Sequence, residues 1–108
     1  MTIAIIVAMD KELQLLLPLL SEPRTTVIDG ITFYLGDTGT NSLIIMKSGI
    51  GKVNAALATM QLIRQFAPDL VINTGVAGGT GSDARILDIV VGERIAYHDV
   101  WCGPDTVE

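Results

Sequence analysis

The sequence predicts an α/β chain built on a mixed sheet, and three observations predict it. Residues 2–8 form a continuous apolar, β-branched run, the pattern of a strand buried on both faces. Apolar residues recur at helical spacing across 10–20 and again across 52–66. Between them, Asp29-Gly30 sits between two strand-like runs. That dipeptide signals a hairpin, because a primed turn needs positive φ at both central residues.

The elements follow in order. Asp10 is placed to cap the first helix, in which Leu13, Leu16, Leu17 and Leu20 share a face. Pro18 and the Ser21-Glu22-Pro23 segment end it. Residues 24–28 and 31–36 form the hairpin, a turn covers 37–41, and 43–46 form the next strand. The second helix carries Val53, Ala56, Leu57, Met60, Ile63 and Arg64 as a mostly apolar stripe with a polar back, and Pro68 lies beyond its end. Residues 70–72 read as a short buried strand leading to Asn73-Thr74-Gly75. Residues 80–85 read as a loop. Residues 86–91 and 94–97 are further strand candidates, with Gly92 as a bulge between them. The expected order is β-α-β-β-β-α-β-β.

Composition narrows the function. The chain has 108 residues, 49% of them hydrophobic, and a formal net charge of −5. This is one domain's worth of chain at most. Its seven basic residues are scattered, so nucleic acid is not an expected partner. No apolar run approaches the roughly 20 residues that span a bilayer, so no membrane partner is expected. The N-terminus lacks a basic region before its apolar run, unlike a secretory signal; a cytoplasmic location is expected. A single cysteine, Cys102, makes no internal disulfide and no multi-cysteine zinc site. So small a domain leaves much of its surface in water. The high apolar content therefore suggests that further chain or a partner covers some of it.

Two glycine-rich turns draw attention. Ser48-Gly49-Ile50-Gly51-Lys52 is not a nucleoside-triphosphate loop: Met46 replaces the first glycine and Val53 follows the lysine. It is not a dinucleotide fingerprint either, because Asn54 stands at the third glycine. It reads as a plain tight turn, or as one whose amides face a ligand at a helix N-terminus. Gly75-Val76-Ala77-Gly78-Gly79 follows a strand, at the end where α/β sheets bind ligands. Its small residues suit either close approach to a ligand or simply the dihedrals of a loop. Met9 and Glu12 lie where the first strand passes into the first helix. Glu12 fits a general base or a water-positioning carboxylate, and equally an acid that complements the helix dipole. His98-Asp99 reads as a structural or surface pair. Cys102, beside Trp101, suits a buried or partner-covered place.

Taken together, three segments resemble the N-terminal half of the 5′-methylthioadenosine/S-adenosylhomocysteine nucleosidases, in the purine nucleoside phosphorylase superfamily. They are Ile5-Ile6-Val7-Ala8-Met9-Asp10-Lys11-Glu12, Lys47-Ser48-Gly49-Ile50-Gly51-Lys52-Val53 and Ile72-Asn73-Thr74-Gly75-Val76-Ala77-Gly78-Gly79. Asp88-Ile89-Val90-Val91 and Tyr97-His98-Asp99 extend the match over nearly the whole chain. The resemblance implies that residues 1–108 are one half of a single three-layer α/β/α domain, and that the protein is a homodimer. It implies hydrolysis of the N-glycosidic bond of 5′-thio-substituted adenosines, as in methionine salvage, with no metal or organic cofactor. Glu12 matches the water-positioning glutamate. Met9 and Ile50 match residues lining the ribose and 5′-substituent pocket. Val76, Ala77 and Gly78 fall in the turn that passes close to the nucleoside. The family's second half supplies the aspartate that protonates adenine and a methionine-glutamate pair that grips the ribose.

Two positions depart from that pattern. Val76 stands where such nucleosidases commonly carry serine, which leaves the substrate class open. Leu87 stands where the family turns with glycine, which reads as a local packing change. Two other functions remain in view. A nucleoside phosphorylase would need cations around a phosphate, and a carboxylate at position 12 disfavours that dianion. A free-standing half-domain would act as a binding module without catalysis.

Overall fold

The structure is a computed structural model that describes residues 1–81 and 83–104. The chain divides into two compact units, Met1–Ala77 and Gly78–Glu108. The first carries β1 (Thr2–Val7), α1 (Asp10–Leu16), a single 3₁₀ turn (Leu17–Leu19), β2 (Ser21–Ile28), β3 (Ile31–Thr38), β4 (Asn41–Lys47), α2 (Lys52–Phe66) and β5 (Leu70–Asn73).

The five strands form one mixed sheet in the order β2-β3-β4-β1-β5. β2, β3 and β4 run as an antiparallel meander. β1 lies between β4 and β5 and is parallel to both. This central place accounts for its apolar run, since a strand flanked on two sides and covered on two faces has no solvent-facing position. Alternation along the strands sorts the core into two layers. Ala4, Ile6, Ile44, Met46 and Phe33 pack with Ala58 and Leu62 of α2. Ile5, Val7, Leu43 and Ile45 pack with Leu13 of α1 and with Leu20. The sheet thus stands between two helical layers, as the three-layer expectation had it.

The hairpin forms as its sequence requires. Asp29 and Gly30 take φ of 51° and 78°, the twist that continues the right-handed strands. Pro23 lies in the edge strand β2, beside a register shift between Ser21 and Arg24. Proline has no N–H for a ladder, so an edge with a bulge accommodates it.

Five features differ from the sequence expectation. Asp10 is the first helical residue and Met9 is the cap; the carboxylate that serves this turn comes from Glu12 instead. The first helix ends at Leu16 and passes into the 3₁₀ turn, which places Pro18 in a first turn where its missing N–H costs nothing. The buried face of α2 is Ala58 and Leu62, with Phe66 partly buried against the same cluster. The expected stripe of Val53, Leu57, Met60 and Ile63 is exposed, because α2 carries apolar residues on two faces and the sheet covers only one. β5 is exposed, not buried: it is an edge strand paired to β1 alone. Lastly, residues 86–91 and 94–97 form no strand and Gly92 no bulge.

That last difference has a physical cause. A β-branched apolar run becomes a strand only when a neighbour takes its backbone hydrogen bonds. Among the described residues of the second unit no strand is present to do so. Its local order includes two turns, in which Ala84 N donates to Gly81 O and Asp88 N to Arg85 O, and Asp88 Oδ2 accepts from Arg85 N at 2.8 Å.

Candidate active site

The three parallel strands β4, β1 and β5 end at one edge of the sheet, and the candidate residues of the first unit gather there. From this edge the connections diverge. β1 passes into α1 on one face, and β4 into α2 on the other. Such a divergence leaves a crevice outside the carboxyl ends of the strands.

Glu12 is the centre of this edge. It is a buried charged side chain, 9% exposed, in the first turn of α1. Its Oε2 accepts from the backbone N–H of Ala8 at 2.9 Å and of Met9 at 3.1 Å. Its Oε1 accepts from the N–H of Val76 at 3.1 Å. The carboxylate therefore ties the end of β1, the start of α1 and the turn after β5 to one point. These donors favour the ionised form, Val76 most and then Ala8. Burial opposes them and Met9 adds to them, and the net effect holds the pKa below its ordinary 4.5. A carboxylate has about four lone-pair sites. Three are engaged, which leaves one on Oε1 for a further donor such as water. A carboxyl held this acidic is a poor proton acceptor at neutral pH and a firm hydrogen-bond acceptor. The helix-dipole role expected as an alternative applies to the same group.

Met9 is half-buried at the helix cap and gives its N–H to Glu12. Val76 touches Glu12 through its backbone, and the residue is 77% exposed. The chemistry this residue lends to the carboxylate therefore comes from the main chain, which a serine would share. Ala77 is exposed at the end of the first unit, and Gly78, also exposed, opens the second.

The first glycine turn is pinned to β1. Ser48 donates to Val7 O from its backbone N–H at 2.8 Å, and its Oγ donates to Gly49 O at 2.8 Å, 3.3 Å from Val7 O. Gly49 and Gly51 take φ of 89° and 98°, a region that disfavours other residues, and hold Ile50 between them at 71% exposure. Asn54 Nδ2 donates to Ile50 O at 2.7 Å. Sequence reasoning treated Asn54 only as a missing glycine, although an asparagine three residues into a helix is well placed to reach back to the preceding loop. Lys47 Nζ donates to Asp10 Oδ1 at 2.7 Å across β4 and α1. That pair also escaped the sequence, because nothing local links positions 37 residues apart. It is solvent-exposed and adds at most about 1 kcal/mol.

Two cavities lie beside the edge. One, of about 690 Å³, runs along α2 and includes Ser48, Asn54 and Gln61 in its lining. The other, of about 340 Å³, includes Lys47, Ser48 and Tyr34. Ser48 belongs to both, which places the first glycine turn at a concave surface.

The remaining candidates belong to the second unit. His98 Nδ1 is 3.9 Å from Asp99 Oδ1, beyond hydrogen-bond range, and the histidine is exposed. Cys102 is exposed and not buried, since the second unit offers no packed layer to receive it. Among the described residues no group of three or more His, Cys, Asp or Glu could hold a metal ion, and no helix is long and apolar enough to cross a membrane.

Comparison with known proteins gives the family. The chain is 44% identical, over 100 residues, to a 5′-methylthioadenosine/S-adenosylhomocysteine nucleosidase of Listeria innocua, with 93% of this chain and 43% of that protein covered. A nucleosidase of the same name from Oceanobacillus iheyensis is 45% identical, with 93% and 44% covered. The chain thus spans less than half the length of the curated relatives it matches. Among solved structures, the S-adenosylhomocysteine nucleosidase of Streptococcus pyogenes, in complex with 5-methylthiotubericidin, superposes with a TM-score of 0.88 at 42% identity. That superposition covers 93% of this chain and 42% of the other. The Neisseria meningitidis 5′-methylthioadenosine/S-adenosylhomocysteine nucleosidase, in complex with methylthio-immucillin-A, gives 0.73 at 42% identity, covering 78% and 36%. The family model of the phosphorylase superfamily matches residues 2–107, and with the sheet order, the two glycine turns and the buried Glu12 in place, the chain belongs to that superfamily.

Proposed function

We propose that residues 1–108 are the N-terminal half of a nucleosidase domain that hydrolyses 5′-thio-substituted adenosines to adenine and a thioribose. The observation that carries this reading is the Glu12 carboxylate, buried, ionised and fixed by three backbone N–H groups at the carboxyl edge of the sheet. The similarity to nucleosidases at 42–45% identity supports it.

In the proposed reaction the C1′–N9 bond breaks as positive charge grows on the ribosyl ring. The free lone pair of Glu12 Oε1 orients a water toward C1′, and its charge stabilises the developing cation. The water oxygen bonds to C1′ as the C1′–N9 pair leaves with adenine; the oxonium so formed gives its extra proton to solvent, and adenine leaves with a proton from an acid supplied by further chain. Met9 and Ile50 line the ribose and 5′-substituent side. The turn at Val76, Ala77 and Gly78 passes beside the nucleoside. The protein acts in the cytoplasm as a homodimer, without nucleic acid, membrane or cofactor.

An ionised carboxylate at this point repels a phosphate dianion, which favours hydrolysis over phosphorolysis. The test is adenine release from methylthioadenosine by the full-length protein, with and without phosphate. Equal rates in both buffers are expected. Release only with phosphate would replace the proposal with a phosphorylase.

A further inference from the structure

Gly75 has an ordinary backbone, outside the left-handed region that requires glycine. Its dihedrals therefore do not explain the residue. The space around it does. A Cβ at position 75 would lie 2.5 Å from Glu12 Oε1, 3.0 Å from Cδ and 3.4 Å from Oε2. The end of a free side chain would swing aside. This carboxylate is held by Ala8, Met9 and Val76, so it moves only by giving up hydrogen bonds. If the turn moves instead, the Val76 N–H withdraws from Oε1. Every relaxation ends in the loss of a donor.

We propose that Gly75 is a positioning residue: its missing side chain is the space in which the Glu12 carboxylate lies, and it sets where Oε1 presents its remaining lone pair. The assignment rests on the nucleosidase reading for its catalytic consequence, and on the contact alone for its geometry. Other charged groups where these strands end include Asp10 and Lys11 on α1, Lys47 on β4, which is paired with Asp10, and Lys52 at the start of α2.

Gly75→Ala in the full-length protein tests it. Adenine release should lose on the order of 10²-fold in kcat, the scale of a reacting group displaced by about 1 Å, with a smaller change in KM. The acid limb of the kcat profile should move to higher pH, because the donor that most favours the ionised carboxylate is displaced. A Glu12 carboxyl titration by ¹³C NMR should move the same way. Gly81→Ala, where an added Cβ meets open space, should behave as the parent. In the unaltered protein, the Val76 amide resonance should titrate together with Glu12, so the contact is judged even if Gly75→Ala does not fold. An unmoved Glu12 titration in Gly75→Ala, or a Val76 amide that ignores Glu12, overturns the assignment. Absence of adenine release by the parent protein would instead refute the nucleosidase reading and leave both NMR outcomes decisive for the contact.

Discussion

Glu12→Gln keeps the shape of the side chain and removes its charge. The amide has an acceptor on one side only, so its NH₂ must face either the Ala8 and Met9 donors or the Val76 donor. Turnover of the full-length enzyme is expected to fall by a factor on the order of 10² or more. The fold should also lose about 1–3 kcal/mol, the cost of leaving a buried donor unmade. Steady-state kinetics and thermal melts on the same preparation read both; unchanged kcat would remove Glu12 from the mechanism. A pH dependence follows. The folded pKa lies below the ordinary 4.5, so the unfolded chain binds the proton first as pH falls. The stabilisation from Glu12 is complete above about pH 4.5 and is lost as pH drops through the folded value. The gap in stability between parent and Glu12→Gln should therefore be widest near neutrality and close in acid. A gap that widened in acid would contradict the ionised carboxylate.

At the scale of elements, the sequence was legible wherever a local rule decides the backbone. Asp29-Gly30 predicted its turn because aspartate and glycine tolerate the positive φ that a type I′ turn needs at both central residues. The apolar run of β1 predicted a central strand because both faces and both edges are covered. The runs in the second unit failed the same reading, since a strand pattern says nothing about whether a partner strand is present. The helix α2 misled for a related cause: periodicity finds apolar faces but not which of two faces meets the sheet. Glu12 was legible as a candidate, yet its bond to Val76 spans 64 residues and no spacing rule reaches that far. Leu87 was read as a packing change and proves to be a backbone one. It takes φ of 73° with 94% of its surface exposed. Two substitutions of opposite sign check this account. Gly30→Ala meets no neighbour within 4 Å, so its expected cost of about 1 kcal/mol comes from the dihedral alone. Leu87→Gly should gain up to about 1 kcal/mol, the relieved left-handed strain less the added chain entropy of glycine. Hydrogen exchange at the two turns would measure both, and an equal gain from Leu87→Ala would refute the backbone explanation.

For the whole molecule, the proposed hydrolysis asks for two groups with opposite demands. The attacking side needs an ionised carboxylate, and Glu12 is held in that form by its donors. The departing adenine needs an acid that still carries a proton near neutrality. Glu12 cannot serve there, because the hydrogen bonds that suit it to water make it a weak proton carrier. Asp10 is committed to Lys47 in an exposed pair. The surface points the same way. β5 presents Leu70, Val71 and Ile72, and α2 presents Val53, Leu57 and Met60, to solvent, a layer that a complete sandwich or a second subunit would cover. The 108-residue polypeptide by itself is therefore expected to release no adenine from methylthioadenosine, while the full-length protein does. Intact mass of every polypeptide in the sample, followed by the release assay on each species, decides it. Adenine released by a species of 11.5 kDa would mean that the acid lies within these residues. Release confined to a heavier chain, or to the 108-residue piece recombined with a second fragment, would place the acid outside these residues. It would also make cleavage between the halves a way to separate the water-holding side of this active site from its leaving-group side.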